Sequence, residues 1–342
     1  MTNVRVRGEN VRKFILGHVD KHPADISRIA AAHFDITRQA VNKHLQRLTA
    51  EHALTESGLT RKKIYKLASI LEWKQIYKIT PELAEDVVWR KDIQITLGQM
   101  PDNVLDIWYY GFTEMFNNAI DHSGGSEIEV QIRKTAAYTE MLILDNGLGI
   151  FKKIQSTLKL LDERHALLEL SKGKLTTDPK HHTGQGIFFS SRIFDAYDIL
   201  SGGVYFSHKF GEQKDWLLEI NQSAKGTSVW MKLHNHTART AKKIFDQYTS
   251  GDDYAFNKTV VPVKLAQYGN DTLISRSQAK RLLARIELFK TVILDFTDVD
   301  FIGQAFSDEI FRVFANQHPE IEFTVLHANA EVKKMIGRAR SG

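Results

Sequence analysis

The 342-residue chain has an ordinary globular composition, with 25% charged and 42% hydrophobic side chains, and is long enough for two or three domains. It contains no cysteine, which excludes disulfides and thiolate metal sites and favours a reducing compartment. The first ten residues lack the apolar core of a secretory signal, and no apolar run reaches membrane-spanning length. We therefore expect a cytoplasmic protein without a membrane partner.

Positive charge is concentrated at the start of the chain. Residues 1–70 hold 13 Lys and Arg against 6 Asp and Glu, whereas the remainder holds 33 against 35. A polyanion is therefore the expected partner of the first 70 residues.

Three short amphipathic helices are predicted in this basic segment, over residues 9–20, 25–33 and 38–51, with Thr37 as the N-cap of the third. Residues 54–67 are predicted as two short strands around Gly58. This order resembles the winged helix-turn-helix family of transcription regulators, which implies a DNA-binding domain over 1–70. A small protein-interaction domain with a solvated basic face is the alternative. The side chains that suit base edges or phosphates are Arg38, Gln39, Asn42, Lys43, Arg47, Arg61, Lys62 and Lys63.

Residues 71–100 are predicted as a connecting segment. A helix is predicted from Pro81 to Lys91. Apolar and polar residues alternate over Ile93–Leu97, which is typical of a short strand or of an extended segment that leads into the next helix.

The helix predicted from residue 101 or 102 to about His122 has an unusual polar face. Glu114, Asn117, Asn118 and Asp121 share one narrow arc, opposite an arc of apolar side chains. Carboxylate and amide oxygens on one face suit a hard cation such as Mg²⁺ that also holds phosphates. A plain amphipathic helix with a polar end explains the same pattern. The choice between a cation site and a plain helix therefore depends on the motifs that follow.

Two glycine-containing turns follow this helix. A strand over 140–144 ends in Asp145, and Gly147 and Gly149 come directly after it, an arrangement that can place a carboxylate at the floor of a pocket. A polar loop then leads to residues 183–186, Thr-Gly-Gln-Gly, where the free amides of a helix N-terminus suit phosphate. Each motif alone is weak, and a plain turn explains either one.

Together and in this order, the motifs resemble the GHKL family of ATP-binding domains (gyrase, Hsp90, histidine kinases, MutL) over residues 101–238. The resemblance implies an α/β sandwich, a mixed sheet with helices on one face, with ATP and Mg²⁺ as cofactors. It implies that Asn118 binds Mg²⁺, Glu114 is the general base and Asp145 bonds the adenine amino group. The remaining nucleotide contacts that it implies are Gly147, Gly149, Thr183, Gly184, Gln185, Gly186 and Thr227.

Two departures from the family are visible. Phe188 stands where many kinases of this family have a third glycine. No His-Glu or His-Asp pair precedes the ATP-binding region, so the chain does not resemble a conventional histidine kinase. Glu114 instead resembles the hydrolysing members and the serine-kinase anti-sigma factors, because a glutamate can deprotonate water or a serine hydroxyl.

Residues 255–342 are predicted as a separate small α/β domain of alternating strands and helices. The run from Val292 to Glu309 resembles STAS domains, and more closely a STAS-like domain of uncharacterised function. Ordinary STAS partners carry a phosphoacceptor serine where this chain has residues 303–305, Gly-Gln-Ala, and Ser307 lies two residues on. A protein partner is expected for this domain. Because the usual serine is missing, a plain regulatory or dimerising role of the domain is at least as well supported as phosphorylation.

The expected protein is thus multidomain α/β: a winged helix-turn-helix, a GHKL sandwich and a small STAS-like domain. We expect an ATP-dependent DNA-binding regulator in which Mg-ATP binding and slow hydrolysis rearrange the terminal domains. The alternatives are an anti-sigma-type protein serine kinase that acts on a STAS partner, and an ATP-binding module without turnover. A homodimer is favoured by the class of winged helices alone.

Overall fold

The computed structural model describes residues 2–59, 62–175, 184–211, 216–250, 255–267 and 272–341. The chain is mixed α/β, and its described strands form a five-stranded sheet, a three-stranded sheet and two two-stranded sheets. None of the described helices combines the length and the apolarity that a membrane span requires.

The N-terminal unit consists of three helices and an antiparallel hairpin, in the order that the sequence predicts. Thr37 caps the third helix, because its hydroxyl oxygen accepts a hydrogen bond from the Ala40 amide at 3.2 Å. Val41, Leu45 and Leu48 are buried, which confirms the predicted inward face. The elements are α1 (Thr2–His18), α2 (Ile26–Phe34), α3 (Arg38–Ala50), β1 (Leu54–Ser57) and β2 (Ile64–Leu67).

The central unit is built on the five-stranded sheet, in which all neighbouring strands are antiparallel in the order β3-β4-β5-β7-β6. Its strands are β3 (Leu71–Lys78), β4 (Glu127–Lys134), β5 (Tyr138–Asp145), β6 (Ala196–Lys209) and β7 (Trp216–His234).

Alternate residues of β4 and β5, such as Val130 and Met141, are buried, and the residues between them are more exposed. The buried side chains form one apolar cluster with those of α6 (Asp102–His122), so this long helix lies on one face of the sheet. The other helices of the unit are α4 (Glu85–Val88), α5 (Gln94–Leu97), α7 (Ile150–Leu158), α8 (Glu163–Lys172), α9 (Gly186–Ile193) and α10 (Ala241–Tyr248).

The strand predicted over Ile93–Leu97 is wrong. This stretch is helical, since a π-helical turn over Trp89–Ile93 leads directly into α5. Ile93 and Leu97 are buried four residues apart, whereas Ile95 between them is 71% exposed. The burial of these residues therefore follows a helical period, although isoleucine or leucine alternates with polar residues in the sequence.

The N-terminal unit packs against the start of β5. Tyr138 is buried in the apolar core of that unit, and its hydroxyl donates a 3.0 Å hydrogen bond to Asp20 Oδ2. Lys232 of β7 lies 3.3 Å from the centre of the Tyr138 ring. The N-terminal unit and the five-stranded sheet therefore share a continuous contact.

The C-terminal unit (the described residues from 255 onward) contains three parallel strands in the order β10-β11-β12, with β11 central. Its apolar residues join those of the central unit in one continuous core cluster. Its elements are β9 (Ala255–Phe256), which pairs with β8 (Thr249–Ser250), β10 (Lys258–Pro262), α11 (Arg276–Leu283), β11 (Thr291–Asp295), α12 (Gln304–Asp308), α13 (Ala315–Gln317), β12 (Glu322–Leu326) and α14 (Ala330–Ser341).

Ser307 lies on α12 and is buried beneath α14. Its hydroxyl donates a 3.3 Å hydrogen bond to the carbonyl oxygen of Met335. An acceptor for phosphate has to be reachable, so this geometry does not favour Ser307 as an acceptor in the folded domain.

Candidate functional site

A pocket lies between the C-terminal half of α6, the ends of β5 and β7, and the start of α9. It encloses about 30 Å³. Its polar lining is Asn118, His122, Ser123, Asp145 and Thr227. Its apolar walls include Met115, Ile143, Ile150, Ile187, Ile199 and Val229. Polar groups at the ends of apolar walls are typical of a small-molecule site.

Asp145 is the last residue of β5 and forms the carboxylate of this pocket. Its Oδ1 accepts a 2.9 Å hydrogen bond from the Gly147 amide. Burial raises the pKa of the carboxyl group, and hydrogen bonds from Gly147 and Thr227 only partly oppose this. The Thr227 hydroxyl oxygen accepts a 3.0 Å hydrogen bond from the Ile150 amide, which connects the last strand to the start of α7.

Gly147 and Gly149 are both needed for the way the chain leaves β5. A Cβ at Gly147 would lie 2.2 Å from the Ser123 carbonyl oxygen, so only glycine allows the loop to lie against the end of α6. Gly149 has a φ of +94° and precedes the first turn of α7. The turn predicted after the strand thus forms one wall of the pocket.

Glu114 lies one turn before Asn118 on α6 and contacts the glycine turn at the start of α9. A Cβ at Gly186 would lie 2.0 Å from Glu114 Oε2, so the carboxylate is packed against the Gly186 backbone. Burial raises the pKa of the Tyr110 and Tyr197 hydroxyls, and the charge of Glu114 adds to this effect. Glu114 therefore lies between two tyrosines and the turn formed by residues 184–186.

The four polar residues of α6 do not share one role. Asn118 lines the pocket and Glu114 contacts Gly186, whereas Asn117 is outside the lining and Asp121 is exposed. Among the described residues no group of three or more His, Cys, Asp or Glu could hold a metal ion. A cation here would need ligand oxygens and water beside Asn118, as is usual for Mg²⁺ held with phosphates.

Two predicted site residues, Arg61 and Thr183, lie outside the described residues. Gly184 and Gln185 are half-buried and lead into α9. His122 and Ser123 also line the pocket, although neither is among the site residues predicted from the sequence. The Ser-Gly-Gly turn after α6 is the one signal that could have indicated Ser123.

The outer face of α3 carries the predicted basic and amide side chains. Arg38, Gln39, Asn42, Lys43 and Arg47 are all exposed. Arg47 forms a 2.7 Å ion pair with Glu51 one turn on. Lys62 is exposed after the β1–β2 turn, and Lys63 pairs with Glu56 at 2.9 Å. This face is positively charged and accessible along its length.

Comparison with known proteins adds one result. The family model of a STAS-like domain of unknown function (DUF4325) matches residues 278–333, which run from α11 to the first turn of α14. No curated protein matches the chain. The chain therefore contains a STAS-like domain in its C-terminal unit.

Proposed function

We propose that this protein is an ATP-dependent, DNA-binding regulator. In this proposal the central unit contains a GHKL-type domain over residues 101–238 that binds Mg-ATP. The N-terminal unit is a winged helix-turn-helix that binds DNA, and the STAS-like domain responds to the nucleotide. The observation that carries the proposal is the convergence of Asn118 and Asp145 on one pocket, while Glu114 contacts the glycine turn beside it.

The residues present fit a purine nucleotide with a cation. Asp145 would accept a hydrogen bond from the adenine amino group, and the apolar walls would contact the faces of the ring. The amides at the start of α9 would bind phosphate, because the free N–H groups of the first turn form the positive end of the helix dipole. Asn118 would hold Mg²⁺, which neutralises phosphate charge when it is bound.

Glu114 would orient or deprotonate the attacking water during slow hydrolysis. Its place beside Gly186 puts a carboxylate next to the amides that would hold the phosphates. A serine kinase would use the same carboxylate, but the buried hydroxyl of Ser307 favours hydrolysis over transfer within this chain.

Replacement of Asn118 by Ala is expected to weaken Mg-ATP binding by about tenfold to a hundredfold, the usual cost of a lost contact to a charged ligand. Isothermal titration with Mg-ATP measures this effect. Asn117→Ala is the matched control, because it removes the same amide one residue away on the same helix and outside the pocket. Equal affinities for the wild type and Asn118→Ala would show that the nucleotide site is wrongly assigned.

The double change Arg38→Ala and Lys43→Ala is expected to weaken DNA binding at least tenfold and to lower the slope of log affinity against log salt by about 2, roughly one phosphate contact per charge. Fluorescence anisotropy with random duplexes at several salt concentrations, with and without Mg-ATP, measures both quantities. Lys333→Ala with Arg338→Ala is the control, since it removes two exposed cations from α14. An unchanged salt slope in the α3 variant would argue against this face as the DNA surface.

A further inference from the structure

The end of α8 is embedded in the C-terminal unit by a buried ion pair. Lys172 is 1% exposed and Glu169 is 2% exposed, and their charged atoms lie 2.6 Å apart. Lys172 Nζ also donates to the carbonyl oxygen of Ala284, just after α11, at 2.7 Å. In return, the hydroxyl of Thr259 on β10 donates to the Lys172 carbonyl oxygen at 2.6 Å. The last turn of α8 is therefore bonded to two elements of the other unit.

Further bonds follow directly after α8. Lys174 Nζ donates to the Leu288 carbonyl oxygen at 2.8 Å, and the Arg285 guanidinium donates to the Lys174 carbonyl oxygen at 3.0 Å. Arg285 Nε also lies 3.9 Å from Glu169 Oε2. Arg285 thus connects the segment after α11 with both the carboxylate and the backbone of the α8 region.

The helix on the far side of the glycine turn rests on the same unit. Phe188 and Phe189 of α9 lie 4.9 Å and 5.0 Å, between ring centres, from Phe256. Phe256 in turn lies 5.5 Å from Phe289. The C-terminal unit therefore contacts both helices that flank the candidate phosphate turn.

The polar part of this contact is incompletely bonded. Glu169 Oε2 and His165 Nδ1, one helical turn apart on α8, are buried without a hydrogen-bond partner among the described residues. Native interiors satisfy nearly all such groups. Unbonded buried polar atoms cost free energy, so this part of the contact holds less tightly than the apolar core that the two units share. We call the set His165, Glu169, Lys172, Lys174 and Arg285 the α8 seam.

We propose that the C-terminal unit acts as a brake on the nucleotide pocket, because it holds α8 through the α8 seam and α9 through Phe256 in the arrangement that closes the pocket. The inference rests on the proposed function, because it takes the pocket ligand to be a nucleotide. A cavity of about 30 Å³ is far smaller than a purine, and one of its walls, Ile187, is on α9. Entry of a base therefore requires a wall to move, and a contact that restrains α9 restrains this one.

Arg285→Ala tests the brake, because this side chain is 35% exposed and its loss opens no deep cavity. We expect faster amide hydrogen exchange in α8 and α9 of the nucleotide-free protein. We also expect Mg²⁺ with fluorescent N-methylanthraniloyl-ADP to associate about tenfold faster, the effect of losing charge-assisted bonds. Arg276→Ala is the control, since this arginine lies on α11, nine residues before Arg285, but pairs with Asp308 and Glu309 instead. Lys174→Met is a second seam variant, which removes the bond from Nζ to the Leu288 carbonyl oxygen and the contacts of the ammonium with the rings of Phe256 and Phe289.

The outcomes separate this inference from the proposed function. Exchange and association rates that equal those of the wild type in both seam variants overturn the brake, as does faster exchange without faster association. Failure of every protein, wild type included, to bind the nucleotide overturns the proposed function and the brake with it. Faster exchange and faster association in both seam variants, with an unchanged Arg276→Ala, support the brake.

Discussion

Lys172→Met should lower the free energy of unfolding by about 3–5 kcal/mol, because it leaves the Glu169 carboxylate buried without its cation. Burial raises the pKa of Glu169, and the charge of Lys172 is the largest effect that opposes this. Burial likewise lowers the pKa of Lys172. Each ion is thus tolerated in the interior because of the other. Urea unfolding followed by circular dichroism measures the loss.

The double variant Glu169→Leu with Lys172→Met is expected to regain most of this free energy, since it removes both charges and fills the space with apolar atoms. Lys242→Met is a suitable control. Lys242 forms an exposed ion pair of 3.0 Å with Asp246 on α10, and loss of such a pair costs under about 1 kcal/mol. A double variant that is as unstable as the single one would mean that packing of the Lys172 stem, rather than its charge, stabilises the seam.

Asp145→Asn is expected to weaken Mg-ATP binding by about a hundredfold and to leave stability at neutral pH unchanged or higher. The asparagine Oδ1 can still accept from the Gly147 amide, but the other position becomes an NH₂ donor that would face the adenine amino donor. A mismatch of this kind in a buried site costs about 1–3 kcal/mol. Titration calorimetry measures the affinity, and thermal unfolding measures the stability.

The stability difference between Asp145→Asn and the wild type should depend on pH. The pKa of Asp145 is raised in the folded protein, so the charged form costs stability above that pKa, and the cost disappears as pH falls through it. The advantage of Asp145→Asn should therefore be present at neutral pH and vanish in acid. Asp195 is the opposite case. Burial acts to raise its pKa, but hydrogen bonds from His234 and the Arg239 charge outweigh it and lower the pKa. Asp195→Asn should accordingly lose stability at neutral pH, and equal behaviour of the two variants would contradict the assignment.

Local patterns predicted many of the helices and strands. The Thr37 cap and the apolar period of α6 depend on residues within two turns of each other, and both are seen in the structure. β3 was not predicted, because Leu71–Lys78 is an edge strand whose partner, β4, begins only at Glu127. The pairing of β3 with β4 is a long-range contact, and the sequence of β3 itself gives little indication of it.

The candidate site was predictable in its parts but not in its contacts. The polar face of α6 alone does not separate its four residues. The family resemblance implied Asn118 rather than Asn117, and the packing of α6 on the sheet places Asn118 in the pocket lining and leaves Asn117 outside it. Glu169 and Lys172 read in the sequence as an ordinary surface pair three residues apart. Their burial comes from a domain that begins some 80 residues later, so no local signal could have indicated it.

Both ends of β5 belong to the part of the molecule that should stay fixed when α8 and α9 move. Tyr138 at one end is anchored to Asp20 of the N-terminal unit, and Asp145 at the other end forms the pocket carboxylate. β5 pairs with a neighbour on either side, so it cannot slide without breaking two ladders. When α8 and α9 are displaced, we therefore expect the C-terminal unit to move with them. The N-terminal helices should keep their position relative to Asp145 at the floor of the pocket.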